Sequence, residues 1–120
     1  MDGQTTTEVF VYGSLLRGGQ YHSLMSGAEF LREDSLRGID LYDLGPYPMA
    51  IPGQNRLYGE CYRIPLGLLS RLDELEEHPH VYERQWLCLD SGNFAWIYLG
   101  RPEQVQGCVL IPDGRWRKLA

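Results

Sequence analysis

A chain of 120 residues with 43% hydrophobic and 22% charged side chains has the make-up of one globular domain, large enough to bury a core without staples. Its net charge of −5, with both signs interspersed, excludes nucleic acid and anionic membrane as expected partners, because both require a basic stripe. No apolar run reaches the length of a membrane span and no signal-peptide layout opens the chain, so a cytoplasmic protein with no membrane contact is expected, and a monomer by default.

Residues 1–7 are polar and read as a loose tail, leaving 8–120 as the single domain. Glu8-Val9-Phe10-Val11-Tyr12 is a β-branched and aromatic run stopped by Gly13-Ser14, which predicts the first strand. A short helix is expected around Tyr21–Met25, then an extended stretch from Leu36 to Leu44. Gly45-Pro46-Tyr47-Pro48 reads as a rigid loop or edge, closed by a turn at Pro52-Gly53. Leu57–Ile64 alternates as a strand. Residues 66–77 form the main helix: Pro65 precedes it, Pro79 lies past its end, and Leu68, Leu69, Leu72 and Leu75 recur at helical spacing. Tyr82–Leu89, the turn signal Asp90-Ser91-Gly92-Asn93 and Phe94–Leu99 predict a hairpin. Val105–Ile111 is expected as the last strand, before a turn at Pro112-Asp113-Gly114 and a basic tail holding Trp116. Five or six short strands with one good helix imply an α+β domain, a curled antiparallel sheet or small barrel with helices at its side.

Three cysteines, Cys61, Cys88 and Cys108, are odd in number and far apart, which fits buried thiols rather than a disulfide set. None has a zinc-ligand partner at the right spacing, and His78 and His80 merely flank Pro79, so no metal is expected.

The main helix carries the sharpest chemical signal. At about 100° per residue, Glu76 falls within roughly 50° of the centre of the leucine stripe, whereas Asp73, Glu74 and Glu77 point toward water. A carboxylate aimed at the core side needs a partner, a cavity or a raised pKa. The helix C-terminus disfavours its charged form further. Such a group suits proton transfer near neutral pH. The competing reading is a boundary glutamate that reaches solvent or pairs with an arginine such as Arg84. A second signal is the strand that runs into Tyr12-Gly13-Ser14-Leu15, a turn able to present backbone N–H groups to an anion. It lacks the Lys-Ser/Thr of a nucleotide P-loop, since Gly19-Gln20 stands there, and it is no G-x-S-x-G elbow. Eight tyrosines, Tyr47 and Tyr82 among them, serve either pocket walls or core.

Taken together, Phe10-Val11-Tyr12-Gly13-Ser14-Leu15, Leu41-Tyr42-Asp43-Leu44-Gly45-Pro46-Tyr47-Pro48, Ala50-Ile51-Pro52-Gly53, Gly59-Glu60-Cys61-Tyr62, Leu72-Asp73-Glu74-Leu75-Glu76 and Tyr82-Glu83-Arg84 resemble, in order, the segments of the γ-glutamylcyclotransferase-like superfamily. The resemblance is to its short bacterial members and its γ-glutamylamine cyclotransferases. It implies a small mixed β-barrel with flanking helices, and Glu76 as the catalytic acid/base. It also implies a substrate site at Tyr12, Gly13, Ser14 and Leu15, with Tyr47 and Tyr82 as walls. The implied reaction cyclises a γ-glutamyl amine or peptide to 5-oxoproline, with a small-molecule substrate and no cofactor. Two other readings compete: a non-catalytic domain that binds carboxylated small molecules, and an interaction domain built on surface aromatics and the Trp116 tail.

Overall fold

The computed structural model describes residues 5–117. Six strands form one sheet: β1 (Thr6–Val11), β2 (Glu29–Asp43), β3 (Pro48–Pro65), β4 (Glu83–Cys88), β5 (Phe94–Leu99) and β6 (Val109–Ile111). The helix α1 (Leu66–Leu75) joins β3 to β4, and short 3-10 turns occupy His22–Met25 and Pro102–Val105. The spatial order is β4-β5-β1-β3-β2-β6. Every pairing is antiparallel except β1 with β5, which run parallel through Val9 and Trp96. The sheet is therefore mixed.

It also curls. The tip of the β4–β5 hairpin reaches across to β2, where the Asp90 N–H donates to the Ser35 carbonyl at 2.8 Å and Ser35 Oγ donates to the Asp90 carboxylate at 2.6 Å. The result is the half-barrel with a flanking helix that the sequence implied. Strand alternation sends two sets of side chains to opposite faces. Phe10, Leu41, Leu57, Cys61 and Ile97 fill the concave interior. Val9, Val11, Ile64 and Tyr98 face α1 and receive Leu68 and Leu72, each of whose burial is worth about 1.5–3 kcal/mol.

Several sequence expectations shift. The first four residues of the expected tail lie outside the described residues, but Thr6 and Thr7 pair with Pro65 and Ile64, so β1 begins inside it. The segments 36–44 and 57–64 belong to one long β2–β3 hairpin that starts at Glu29. Pro52-Gly53 does not turn the chain. Pro52 pairs with Ile39, and a Cβ on Gly53 would stand 2.3 Å from the Asp40 carboxylate, which accepts the N–H groups of Gln54 and Asn55 at 3.0 Å each. Glycine is there to admit Asp40. The Tyr21–Met25 helix is a single 3-10 turn, and the last strand is only Val109–Ile111. Trp116, expected on an exposed tail, is buried in the concave core at 6% exposure. The segment is tied down where the Tyr58 N–H donates to the Gly114 carbonyl at 3.0 Å. The exposed aromatics include Trp86 and Phe94, stacked on the β4–β5 hairpin. Of the cysteines only Cys61 is buried; Cys88 is exposed and Cys108 half-buried. No helix among the described residues is long and apolar enough to cross a membrane.

Candidate active site

The helix ends at Leu75 rather than at residue 77, and Glu76 is its C-cap. Its N–H donates to the Leu72 carbonyl at 2.9 Å and its own carbonyl accepts the Tyr82 N–H at 3.2 Å. Beyond it the chain makes a Schellman closure: His78 N–H to the Asp73 carbonyl at 2.9 Å, and Glu77 N–H to the Glu74 carbonyl at 3.2 Å. Glu77 takes the left-handed position with φ 53°. The backbone of Glu76 is thus gripped on both sides.

Its side chain faces a cavity of about 310 Å³ between α1 and the turn after β1. Tyr12, Gly13, Ser14 and Leu15 form one wall, and Leu75, Glu76 and Glu77 the opposite one. Tyr21, Tyr47, Tyr82 and Tyr98 are among the rest. Glu76 and the six residues expected around the substrate therefore line a single cavity. The Glu76 carboxyl has no hydrogen bond or ion pair among the described residues. Burial alone pushes its pKa up from 4.5 to about 7.

The arginine that the competing reading would give to Glu76 is engaged elsewhere. Arg84 makes a two-pronged pair with Asp73, at 2.8 and 3.2 Å, and its guanidinium lies 4.2 Å over the Trp96 ring. Tyr98 Oη donates to the same Asp73 carboxylate at 2.6 Å. Burial works to raise the Asp73 carboxyl, yet the bonds from Arg84 and Tyr98 outweigh it and hold it below the ordinary carboxylate range. Asp73 was expected in water. Helical phase gave the direction of its Cβ but not the strand β5 that packs against it.

The turn opposite Glu76 is built for close approach. A Cβ on Gly13 would sit 2.7 Å from Pro48 Cγ, so glycine lets the start of β3 seat against it. The loop closes through Leu16 N–H to the Gly13 carbonyl at 3.0 Å and Tyr21 N–H to the Ser14 carbonyl at 2.9 Å. No acceptor among the described residues takes the N–H of Gly13, Ser14 or Leu15. That leaves three donors on the wall facing the carboxyl.

The tyrosines divide by hydroxyl. Tyr12 Oη donates to the Tyr98 carbonyl at 2.5 Å and accepts the Ala50 N–H at 3.2 Å, so it serves the core and leaves its backbone to the site. Tyr82 Oη donates to the Pro48 carbonyl at 2.7 Å, fixing the ring as a wall. Burial and then the nearby Glu76 carboxylate raise the Tyr82 pKa, so that ring stays neutral. Tyr47 stands half-open at the mouth. Tyr98, Tyr21 and Val81 also line the cavity and were not singled out from the sequence. Only Tyr98 had a usable signal: in β5 it alternates with the buried Ala95, Ile97 and Leu99, which puts it on the helix-facing side. His78 uses Nδ1 to accept the Arg84 N–H at 3.2 Å, and neither His78 nor His80 lines the cavity. No group of three metal-ligating side chains occurs among the described residues.

Residues 9–118 match the family model described as gamma-glutamyl cyclotransferase, AIG2-like. The chain belongs to that family. It is 42% identical over 110 residues to the gamma-glutamylcyclotransferase family protein ytfP of Citrobacter rodentium, covering 90% of this chain and 93% of that one. The solution structure of protein ytfP from Escherichia coli, 40% identical, superposes with a TM-score of 0.74 over 92% of this chain and 96% of that one. A uropathogenic E. coli-specific protein of known crystal structure, 27% identical, gives a TM-score of 0.81 over 95% and 94% of the two chains. For a cyclotransferase-family chain, the cavity between the Gly13 turn and the end of α1 is the natural place to look for chemistry.

Proposed function

We propose that the protein is a γ-glutamylcyclotransferase-type enzyme, acting as a soluble cytoplasmic monomer on a small γ-glutamyl amine or peptide. The observation that carries this reading is the Glu76 carboxyl: unpaired, poised at about pH 7 by burial alone, and set across the cavity from three unused backbone donors.

The chemistry follows from those two walls. The substrate's α-ammonium is not a nucleophile, so ionised Glu76 removes a proton from it. The free amine attacks the γ-carbonyl carbon and closes a five-membered ring. The N–H groups of Gly13, Ser14 and Leu15 hold the α-carboxylate or the oxyanion, fixing the attack geometry. The tetrahedral intermediate collapses as the bond to the leaving nitrogen breaks; Glu76 hands that nitrogen the proton it took from the ammonium and then relays to it a second proton from the ring nitrogen. The amine departs as an ammonium, 5-oxoproline remains, and Glu76 ends as it began. Electrons are not gained or lost, so the scheme uses no redox cofactor.

The test is 5-oxoproline release from a panel of γ-glutamyl amines and peptides by wild type and Glu76→Gln. Release by both at equal rates would remove Glu76 from the mechanism. Binding of the panel without product at any enzyme concentration would leave a carboxylate-binding domain in place of an enzyme.

A further inference from the structure

Three tyrosines stand close enough to Glu76 to feel its charge: Tyr12 at the end of β1, Tyr82 ahead of β4 and Tyr98 on β5. Burial comes first in raising the pKa of each hydroxyl, and the Glu76 carboxylate adds to it in all three. Each is therefore a protonated donor of the kind an unpaired carboxyl recruits. None donates to it. Tyr12 gives its proton to the Tyr98 carbonyl and Tyr82 to the Pro48 carbonyl, at 2.5 and 2.7 Å. Of the three, only Tyr98 donates to a side chain, the Asp73 carboxylate, at 2.6 Å. That carboxylate also holds the Arg84 guanidinium through both its oxygens. Asp73 and Glu76 lie three residues apart on α1 and are neighbours on its surface. One carboxylate thus takes a hydroxyl and a cation, and its neighbour is left with neither.

The other ionisable groups around the cavity do not fill that gap. Tyr21 and Tyr47 are half-exposed, and Glu77 is exposed and of like charge. His78 spends Nδ1 on the Arg84 N–H. We propose, resting on the cyclotransferase reading, that Asp73 is a positioning residue for the base: by taking the Tyr98 hydroxyl and the Arg84 guanidinium, it keeps Glu76 unpaired and able to accept the substrate's proton. Asp73 acts only through those partners, since it does not itself line the cavity. Without it, the hydroxyl and the guanidinium turn to the carboxylate that remains, and a negative charge one helical turn away is lost. All three changes favour ionised Glu76. A carboxylate that stays ionised to lower pH is a weaker base, so proton removal from the ammonium slows.

The test is the position of the acidic limb of the kcat/KM profile for 5-oxoproline release. Asp73→Ala should move it down by about one pH unit or more, whereas a residue that only braces the fold would lower the rate and leave the limb in place. Asp73→Ala made on a Tyr98→Phe background, where no hydroxyl is released, should move the limb less. Carbon-13 NMR titration of the Glu76 carboxyl, its signal assigned by its loss in Glu76→Gln, reads the same shift without turnover. If Asp73→Ala does not fold, Asp73→Asn keeps the side chain's shape and an acceptor for Tyr98, and its titration should shift in the same direction. A downward shift in the titration, with no 5-oxoproline from wild type, supports the role of Asp73 and sinks the enzyme reading alone. A carboxyl whose titration stays in place or moves up, or a shift that Tyr98→Phe leaves undiminished, overturns the proposal, while product release keeps the enzyme reading standing.

Discussion

The turn that follows β1 separates two cavities, each with two glutamates in its wall. On one side lies the hollow of about 310 Å³ with Glu76. On the other is a hollow of about 380 Å³ lined by polar groups that include Glu33, Asp34, Glu60 and Arg115. Glu60, at 9% exposure, is more buried than Glu76 and better satisfied. It accepts the Arg17 N–H and Nε at 3.0 Å each, and the Tyr62 hydroxyl at 2.9 Å. The Glu76 carboxyl accepts nothing from the described residues. The same residue type thus anchors the turn from one side and stands ready for a proton on the other. Burial of a carboxylate is not itself a sign of function; burial without partners is.

The contrast breaks most sharply under substitution. Glu76→Gln is expected to lower kcat for 5-oxoproline formation by about 10²–10⁴, the range of a lost general acid/base. The acidic limb of the wild-type pH–rate profile should lie near 7, where the carboxyl ionises, and should vanish in the variant.

Stability should respond in the opposite sense. Because the folded chain holds the Glu76 proton more tightly than the unfolded one, ionisation between 4.5 and about 7 removes stability as pH rises. Glu76→Gln should therefore be more stable than wild type by up to about 3 kcal/mol near pH 8, with no advantage near pH 4. Thermal melts across that range decide it, and a constant offset would mean that Glu76 is not buried uncharged. Glu60→Ala should do the reverse, costing about 2–3 kcal/mol by stranding the Arg17 N–H and the Tyr62 hydroxyl. A stability loss in Glu60→Ala no larger than that of a surface substitution would show that the anchoring contacts do not hold the turn.

The smallest effect concerns the helix closure. Glu77 occupies a left-handed position that glycine takes without strain, so Glu77→Gly should stabilise the fold by about 0.5–1 kcal/mol in denaturant titrations. A loss of stability would mean that the Glu77 side chain contributes packing its exposure does not suggest.

Much of this site was legible in the residues. The stop at Gly13-Ser14 marked the turn, the leucine spacing marked α1, and the same phase aimed Glu76 inward. Both features are local, set by period and by glycine, and such signals survive without knowledge of the neighbours. The reading failed where a distant strand decided the outcome. Asp73 leaves water because β5 and β4 bring Tyr98 and Arg84 to it, and Pro52-Gly53 stays extended because Asp40 on β2 fills the space a Cβ would need. Trp116 is buried because the segment around Gly114 folds back onto β3.

From its order of residues alone, the chain determined its class, its main helix, the turn after its first strand and the inward direction of Glu76. Only the folded sheet decided that this side chain should lack a partner. Pairing depends on which cations the curl of the sheet brings within about 4 Å, and the curl assigns Arg84 to Asp73 and Arg17 to Glu60. A charge's direction is a property of its own helix, whereas its solvation belongs to everything packed around it.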